Sequence, residues 1–309
     1  LLPAAAAVAQ STAMPTERRY TWWLPPAIFD AAEPIDRLFY AILYLTGAVC
    51  VGVFVCLIWF LVQYRHRPGR HARFIHGNNR LEAAWTLAPT LILAFIAAVS
   101  QTSWAAVKRP PFVPTVEQVK KGEVVEMRVV GIQFKWYFQY PGPDGKLGPL
   151  NRVKQTKSAD FGELIGLDRE HPDGRDDVVS PTMFVPVDTN VYIHLTSVDV
   201  LHSFFLAEFR IKQDAVPGLE PKVWLHANRT SAQVLGRLAP TGRNDPIWGS
   251  DGAARPFDII CAELCGQGHY TMRGELFVVT PQQFQAFLQR EYDFLGIGGD
   301  DTATDDAGY

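Results

Sequence analysis

The chain has 309 residues, with 29 Lys and Arg against 32 Asp and Glu and a formal charge of −3. Acids outnumber bases beyond residue 106, which speaks against a nucleic-acid partner; an acidic outer domain would steer a basic protein instead. The apolar residues are unevenly spread, so their map along the chain is more informative than the average.

The first residues, LLPAAAAVAQ, read as the tail of a signal peptide (1–9), with Ala7-Val8-Ala9 as a small-residue cleavage site before Gln10. Residues 10–34 form a proline-rich, aromatic lead-in on the outer face, where Trp22 and Trp23 suit the aromatic belt of a membrane interface. Uncharged runs follow at 38–62 and 87–106, each long enough to cross a bilayer as a helix, which takes ~20 apolar residues. They predict a transmembrane hairpin over 35–106, with helices at about 36–63 and 82–106. Cys50 and Cys56 read as small apolar fillers within it. The connector carries Arg65, Arg67, Arg70, Arg73 and Arg80 and no acid. Positive loops stay cytoplasmic, so both termini and everything after residue 106 belong outside, in the periplasm of a Gram-negative cell. The expected location is the bacterial inner membrane.

From Glu123 the pattern becomes that of strands: 123–130 alternates, 131–140 continues as an aromatic strand, and the turn PGPDG at 141–145 combines a fixed φ with a permissive glycine. Further strands are predicted at 182–186, 190–196, 203–209, 222–227 and 274–279. Short strands without long intervening helices point to an antiparallel sandwich or barrel filling 107–292. The polar stretches 149–179 and 230–256 read as excursions outside the core, 281–292 as a helix, and 293–309 as an acidic disordered tail.

The chemistry concentrates in Cys261-Ala262-Glu263-Leu264-Cys265-Gly266-Gln267-Gly268-His269-Tyr270-Thr271-Met272. Two thiols and an imidazole suit copper or zinc, and the thioether favours copper. A bare disulfide or a structural zinc site would explain the cysteines, but neither has a use for the methionine. Another strong ligand must come from elsewhere. His202, in SVDVLHSF, follows a strand at a loop junction, whereas His194 and His226 lie mid-strand, where a structural role is expected. No C-x-x-C-H occurs, which excludes covalent c-type haem in this chain.

Taken in order, the hairpin, E-x-x-W-T-x-x-P from Glu82, D-V-L-H-S at 199–203, K-x-D-A-x-P-G from Lys212 and C-x-E-x-C-x-x-x-H-x-x-M from Cys261 resemble cytochrome c oxidase subunit II, over about residues 35–279. The resemblance implies an all-β cupredoxin-like Greek-key sandwich after the two-helix hairpin, carrying a binuclear copper A centre. It implies that Cys261 and Cys265 bridge two copper ions, that His202 and His269 each ligate one, and that Met272 and the backbone carbonyl of Glu263 are weak ligands on the coppers of His202 and His269 respectively. The Glu263 side chain would bind magnesium or manganese at the junction with subunit I. Asp199 and Asp214 would order the ligand loops, and Glu82 would stand near the mouth of a proton pathway. By the same resemblance the chain is a subunit of an aa3-type-like respiratory oxidase, an oxidoreductase and translocase. It would pass electrons to haem in subunit I, with subunit III alongside, for oxygen reduction and proton pumping, and would catalyse nothing alone.

One departure concerns the donor. The family's aromatic strand commonly reads G-H-Q-W-Y-W, with the first tryptophan receiving electrons from cytochrome c. Here it reads Gly131-Ile132-Gln133-Phe134-Lys135-Trp136. Electrons are expected to arrive near Phe134 and Trp136, from cytochrome c or from a membrane-bound cytochrome. A quinol-oxidising relative would have lost the copper ligands, and a copper chaperone would need neither two bridging thiolates nor a matched histidine pair.

Overall fold

A computed structural model of the chain describes residues 23–297, apart from 72, 73, 75, 159 and 240–244. The expected signal-peptide tail, most of the lead-in, Arg73 and all but the start of the acidic tail lie outside the described residues. The chain divides into two compact units, residues 31–109 and the rest.

The first unit holds two helices, α1 (Glu33–Gln63) and α2 (Asn79–Lys108). At 1.5 Å per residue each is about 45 Å long, more than the ~30 Å hydrocarbon core. Apolar side chains are exposed all round them, among them Val53, Phe54, Leu57, Leu91 and Phe95, which suits lipid and not water. Both helices begin earlier than the apolar runs suggest, and α2 also ends later. The Asn78 side chain caps α2 by accepting from the N–H groups of Arg80 and Leu81 at 3.1 and 3.2 Å. Pro89 sits inside α2, one residue before Thr90, whose hydroxyl donates to the Thr86 carbonyl at 2.7 Å.

The second unit begins with the short helix α3 (Val116–Lys120) and continues as a ten-stranded sandwich. In chain order its elements are β1 (Val124–Ile132), β2 (Lys135–Tyr140), α4 (Phe161–Ile165), β3 (Val178–Ser180), β4 (Met183–Pro186), β5 (Asn190–Ser197), β6 (His202–Leu206), β7 (Ile211–Ala215), β8 (Lys222–His226), α5 (Ser231–Leu235), β9 (Phe257–Cys261), β10 (Arg273–Val279) and α6 (Pro281–Leu295). One sheet has the order β3-β2-β1-β5-β8 and the other β4-β10-β9-β6-β7. The β1–β5 and β4–β10 pairs are parallel and the remaining ladders antiparallel.

The inward positions of both sheets are fully covered, among them Val129, Phe138, Ile193, Leu195, Phe204, Leu206, Ile259 and Leu276. Side chains of this kind stabilise by roughly 1.5–3 kcal/mol each when buried. Tyr140 ties the sheets together: its hydroxyl accepts from Phe184 N–H at 2.7 Å and donates to Phe184 C=O at 3.0 Å. Phe287 of α6 stacks on Phe184 at 4.4 Å. The helix is started by a Thr280–Gln283 capping box with Pro281 in its first turn. It runs to Leu295 and so takes in the first three residues expected to belong to the tail.

Two expectations about the excursions are corrected. Residues 149–179 contribute to the core, because Ile165, Leu167 and Val179 form one buried cluster with Val130, Tyr137 and Val198. Within 230–256, Ile247 is buried, Trp248 packs on Phe184 and Phe277, and Ser231 Oγ accepts from Val278 N–H at 2.8 Å. Each excursion dilutes a few apolar anchors among many polar residues, which lowers its average and hides the anchors.

Candidate metal centre

Two segments far apart in sequence build the site. The first is the turn from β5 into β6. Asp199 shapes it: its N–H donates to Ser197 Oγ, and its Oδ1 accepts from Val200 N–H at 2.7 Å and from Ser197 Oγ. The same Oδ1 lies 2.8 Å from His202 Nε2. His202 opens β6 and is fully buried, with 0% exposure. A Cβ on Gly131 would come within 2.9 Å of the His202 ring, so only glycine lets β1 pass so close.

The second segment leaves β9 at Cys261 and returns into β10 after Met272. It is closed at its base by Cys261 N–H to Met272 C=O at 3.2 Å and fastened to the first segment by Ala262 N–H to Ser203 C=O at 2.9 Å. Phe204 of β6 pairs with Cys261 of β9, which sets His202 beside the first thiol. A 3₁₀ turn, His269–Thr271, aims His269 back at the second thiol.

The donor atoms converge. Cys261 Sγ is 3.9 Å from Cys265 Sγ, 3.9 Å from His202 Nδ1 and 3.2 Å from the Glu263 carbonyl oxygen. Cys265 Sγ is 3.6 Å from His269 Nδ1 and 3.7 Å from Met272 Sδ. The cysteines are both free. A metal bound tetrahedrally to sulfur at about 2.3 Å and imidazole nitrogen at about 2.0 Å keeps its donors roughly 3.3–3.8 Å apart. The observed spacings of 3.2–3.9 Å lie close to that range, so the donor set fits a thiolate-bound metal with small adjustments. Both imidazoles present Nδ1 to the sulfurs. His202 Nε2 is held by a carboxylate, an arrangement that fixes ring orientation and raises ligand basicity.

Electrostatics support the same reading. Burial together with the neighbouring Cys261 thiol pushes the Cys265 thiol up to about 11, so a bound cation is what would make two adjacent thiolates tolerable there. Burial works to raise the Asp199 carboxyl as well. Hydrogen bonds from His202, Gln133 N–H and Val200 N–H outweigh it and hold the group below its usual range.

The remaining expected residues sit as follows. Glu263 turns its carbonyl to the sulfur while its side chain lies on the surface. Asp214 accepts from Ser203 Oγ at 2.7 Å, one residue from His202, and so orders the edge of β6 from β7. Phe134 is half-buried; its ring lies over the metal loop, 2.4 Å from where a Cβ on Gly268 would stand. Trp136 is 1% exposed, with its ring 5.9 Å from that of His202 and 5.5 Å from Phe204. It is an inner wall of the site and offers no surface to a donor. Glu82 is exposed in the first turn of α2. His194 and His226 are engaged within the sheet, with Glu126 and Asn190.

Sequence reasoning missed Gln133, whose main-chain N–H donates to Asp199 Oδ2 and whose side chain donates to Cys265 C=O. The signal available was the Gly266-x-Gly268 pair between two ligands, which implies that something lies hard against the loop.

Fold and site together define a cupredoxin-like domain, joined to two membrane-spanning helices, with a sulfur-rich cluster whose donors could hold a metal. Residues 19–102 match the family described as cytochrome C oxidase subunit II, transmembrane domain, and residues 125–237 match its periplasmic domain. The chain is 28% identical over 280 residues to the alternative cytochrome c oxidase subunit 2 of Bradyrhizobium diazoefficiens, covering 90% of this chain and 87% of that one. It is 27% identical over 285 residues to cytochrome c oxidase subunit 2 of Cereibacter sphaeroides, covering 86% and 78%. A crystal structure of the periplasmic domain of subunit II from Bradyrhizobium japonicum covers 60% of this chain and 99% of its own at 21% identity, with a TM-score of 0.35. This chain belongs to the cytochrome c oxidase subunit II family.

Proposed function

We propose that the chain is the electron-receiving subunit of a respiratory haem–copper oxidase and holds a pair of copper ions between Cys261, Cys265, His202, His269, Met272 and the Glu263 carbonyl. The observation that carries this reading is the 3.2–3.9 Å spacing of those donors. The copper pair, when bound, accepts one electron and passes it on. The two thiols lie between the imidazoles, Cys261 beside His202 and Cys265 beside His269, so these four side chains would hold the pair. His202 is held by Asp199 and covered by Trp136, which keeps its ring from turning as the charge changes. Buried Met272 and the Glu263 carbonyl would supply the weak donors.

Phe134 is the aromatic group through which electrons arrive, from cytochrome c or a membrane-bound cytochrome, and Trp136 backs it from inside. They leave toward haem in subunit I, where oxygen is reduced and protons are pumped, with subunit III in the same complex. The outward side chain of Glu263 offers a hard carboxylate for magnesium or manganese at the subunit I junction. Glu82 serves a proton pathway from the cytoplasmic face, and the arginine-rich connector between the helices favours that face as cytoplasmic, with the sandwich on the periplasmic side of the inner membrane.

The test is metal analysis and electron paramagnetic resonance on the full-length chain in detergent, loaded with copper. Two coppers per chain with a purple, multi-line mixed-valence signal is the expected result. One copper with a four-line signal, or zinc in its place, would overturn the reading.

A further inference from the structure

We infer that Gln133 is a positioning residue for the metal centre, clamping the two ligand-bearing segments to each other. The inference rests on the copper reading of the site. Gln133 lies in the turn between β1 and β2 and makes two contacts in different directions. Its main-chain N–H donates to Asp199 Oδ2 at 2.7 Å, across 66 positions of sequence, and its side-chain Nε2 donates to Cys265 C=O at 2.6 Å, across 132. The other oxygen of Asp199 is the one that holds His202. One residue thus joins the support of the first imidazole to the backbone of the second thiolate.

The ladder between β6 and β9 already fastens the two segments at their base. Gln133 fastens the far part of the loop, where Cys265 turns toward His269. Two glycines make the approach feasible. A Cβ on Gly266 would stand 2.8 Å from Gln133 Nε2, and one on Gly268 would stand 2.4 Å from the Phe134 ring. The turn therefore presses directly on loop backbone, amide against carbonyl and ring against glycine.

The chemistry requires glutamine. The partner is a carbonyl oxygen, so the side chain must donate. Glutamate would set a carboxylate against that oxygen, and leucine would leave the carbonyl without this donor. With the clamp lost, Cys265 gains freedom relative to Cys261, His269 and Met272. The ligands then rearrange more for each electron moved.

The experiment compares the copper-loaded full-length chain with Gln133→Leu and Gln133→Glu in detergent, following copper release to a chelator, the hyperfine pattern of the mixed-valence signal and the unfolding temperature. Release faster by about fivefold or more, the scale of one lost hydrogen bond, is expected in both, with glutamate the faster. The hyperfine pattern should change while the unfolding temperature stays near the wild-type value. Wild-type release and an unchanged pattern would overturn the inference, as would acceleration that merely tracks a fall in unfolding temperature. If one variant fails to fold, the other carries the test alone. A wild-type chain that takes up no copper pair would refute the reading of the site and is distinguished from failure of the clamp.

Discussion

Two histidines of the sandwich, His194 and His202, both stand beside carboxylates, yet the protein uses them in opposite ways. In β5, His194 has Glu126 on Nε2 at 2.6 Å and Glu220 on Nδ1 at 3.3 Å, with Lys222 against Nδ1 as well. Both ring nitrogens are engaged by neighbouring side chains. His202 has one nitrogen on Asp199 and presents the other to Cys261. What marks His202 as a candidate ligand is therefore not a nearby acid but a nitrogen left facing soft donors after the acid has fixed the ring. Burial acts to lower the pKa of His194, and hydrogen bonds to Glu126 and Glu220 overcome it and raise it, against the opposing charge of Lys222.

Five substitutions would break or sharpen that contrast. The largest effect is expected from Cys265→Ser, which should abolish the copper pair, while His194→Gln should leave copper content unchanged; metal analysis of both decides. Next, Asp199→Asn should keep the metal but weaken its affinity by about ten- to a hundredfold, the usual cost of losing the group that orients a ligating histidine, read by titration against a competing chelator.

Third, Glu220→Gln should cost about 1 kcal/mol, allowing for the partial exposure of the pair. The Glu220 carboxyl is held well below the usual range by His194, against burial, with help from Lys222 and Arg128. Its contribution is therefore present above the ordinary carboxylate pKa of about 4.3 and lost as pH falls through its folded value. The raised His194 contributes fully below about 6.5 and loses that contribution as pH rises through its folded pKa. The stability difference between wild type and Glu220→Gln, measured from pH 3 to 9, should thus peak in a window of roughly pH 4.5–6.5. Smallest of all, Lys222→Met removes a half-exposed ion pair and should shift stability by at most about 1 kcal/mol, less at high salt.

Much of this was legible in the sequence because its signals are local. The hairpin shows as uncharged runs, the alternating stretches show as strands, and the spacing from Cys261 to Met272 brings five donors into one loop, with His202 as the remaining partner. Less legible were β7 and β9: Ile211–Ala215 is half polar at a sheet edge, and Phe257–Cys261 is short and follows a polar loop. The part of the site that escaped is the part made by long-range hydrogen bonds. Gln133 has no motif of its own, and nothing in GIQFKW says that its amide ends on the carbonyl of Cys265. Trp136 was expected beside Phe134 where electrons enter, and its place as an inner wall was hidden because an aromatic strand gives no indication of which ring faces inward until its register is known.

The distances along the chain between the candidate ligands bear on how such a site would come to be filled. His202 and Cys261 are 59 positions apart, and Gln133 reaches across 132 to Cys265. Contacts of such high order form late, because loop-closure entropy must be overcome before they reward the chain. The ligands converge only where both sheets have closed, so metal capture is expected to follow folding; refolding should proceed at the same rate with and without copper.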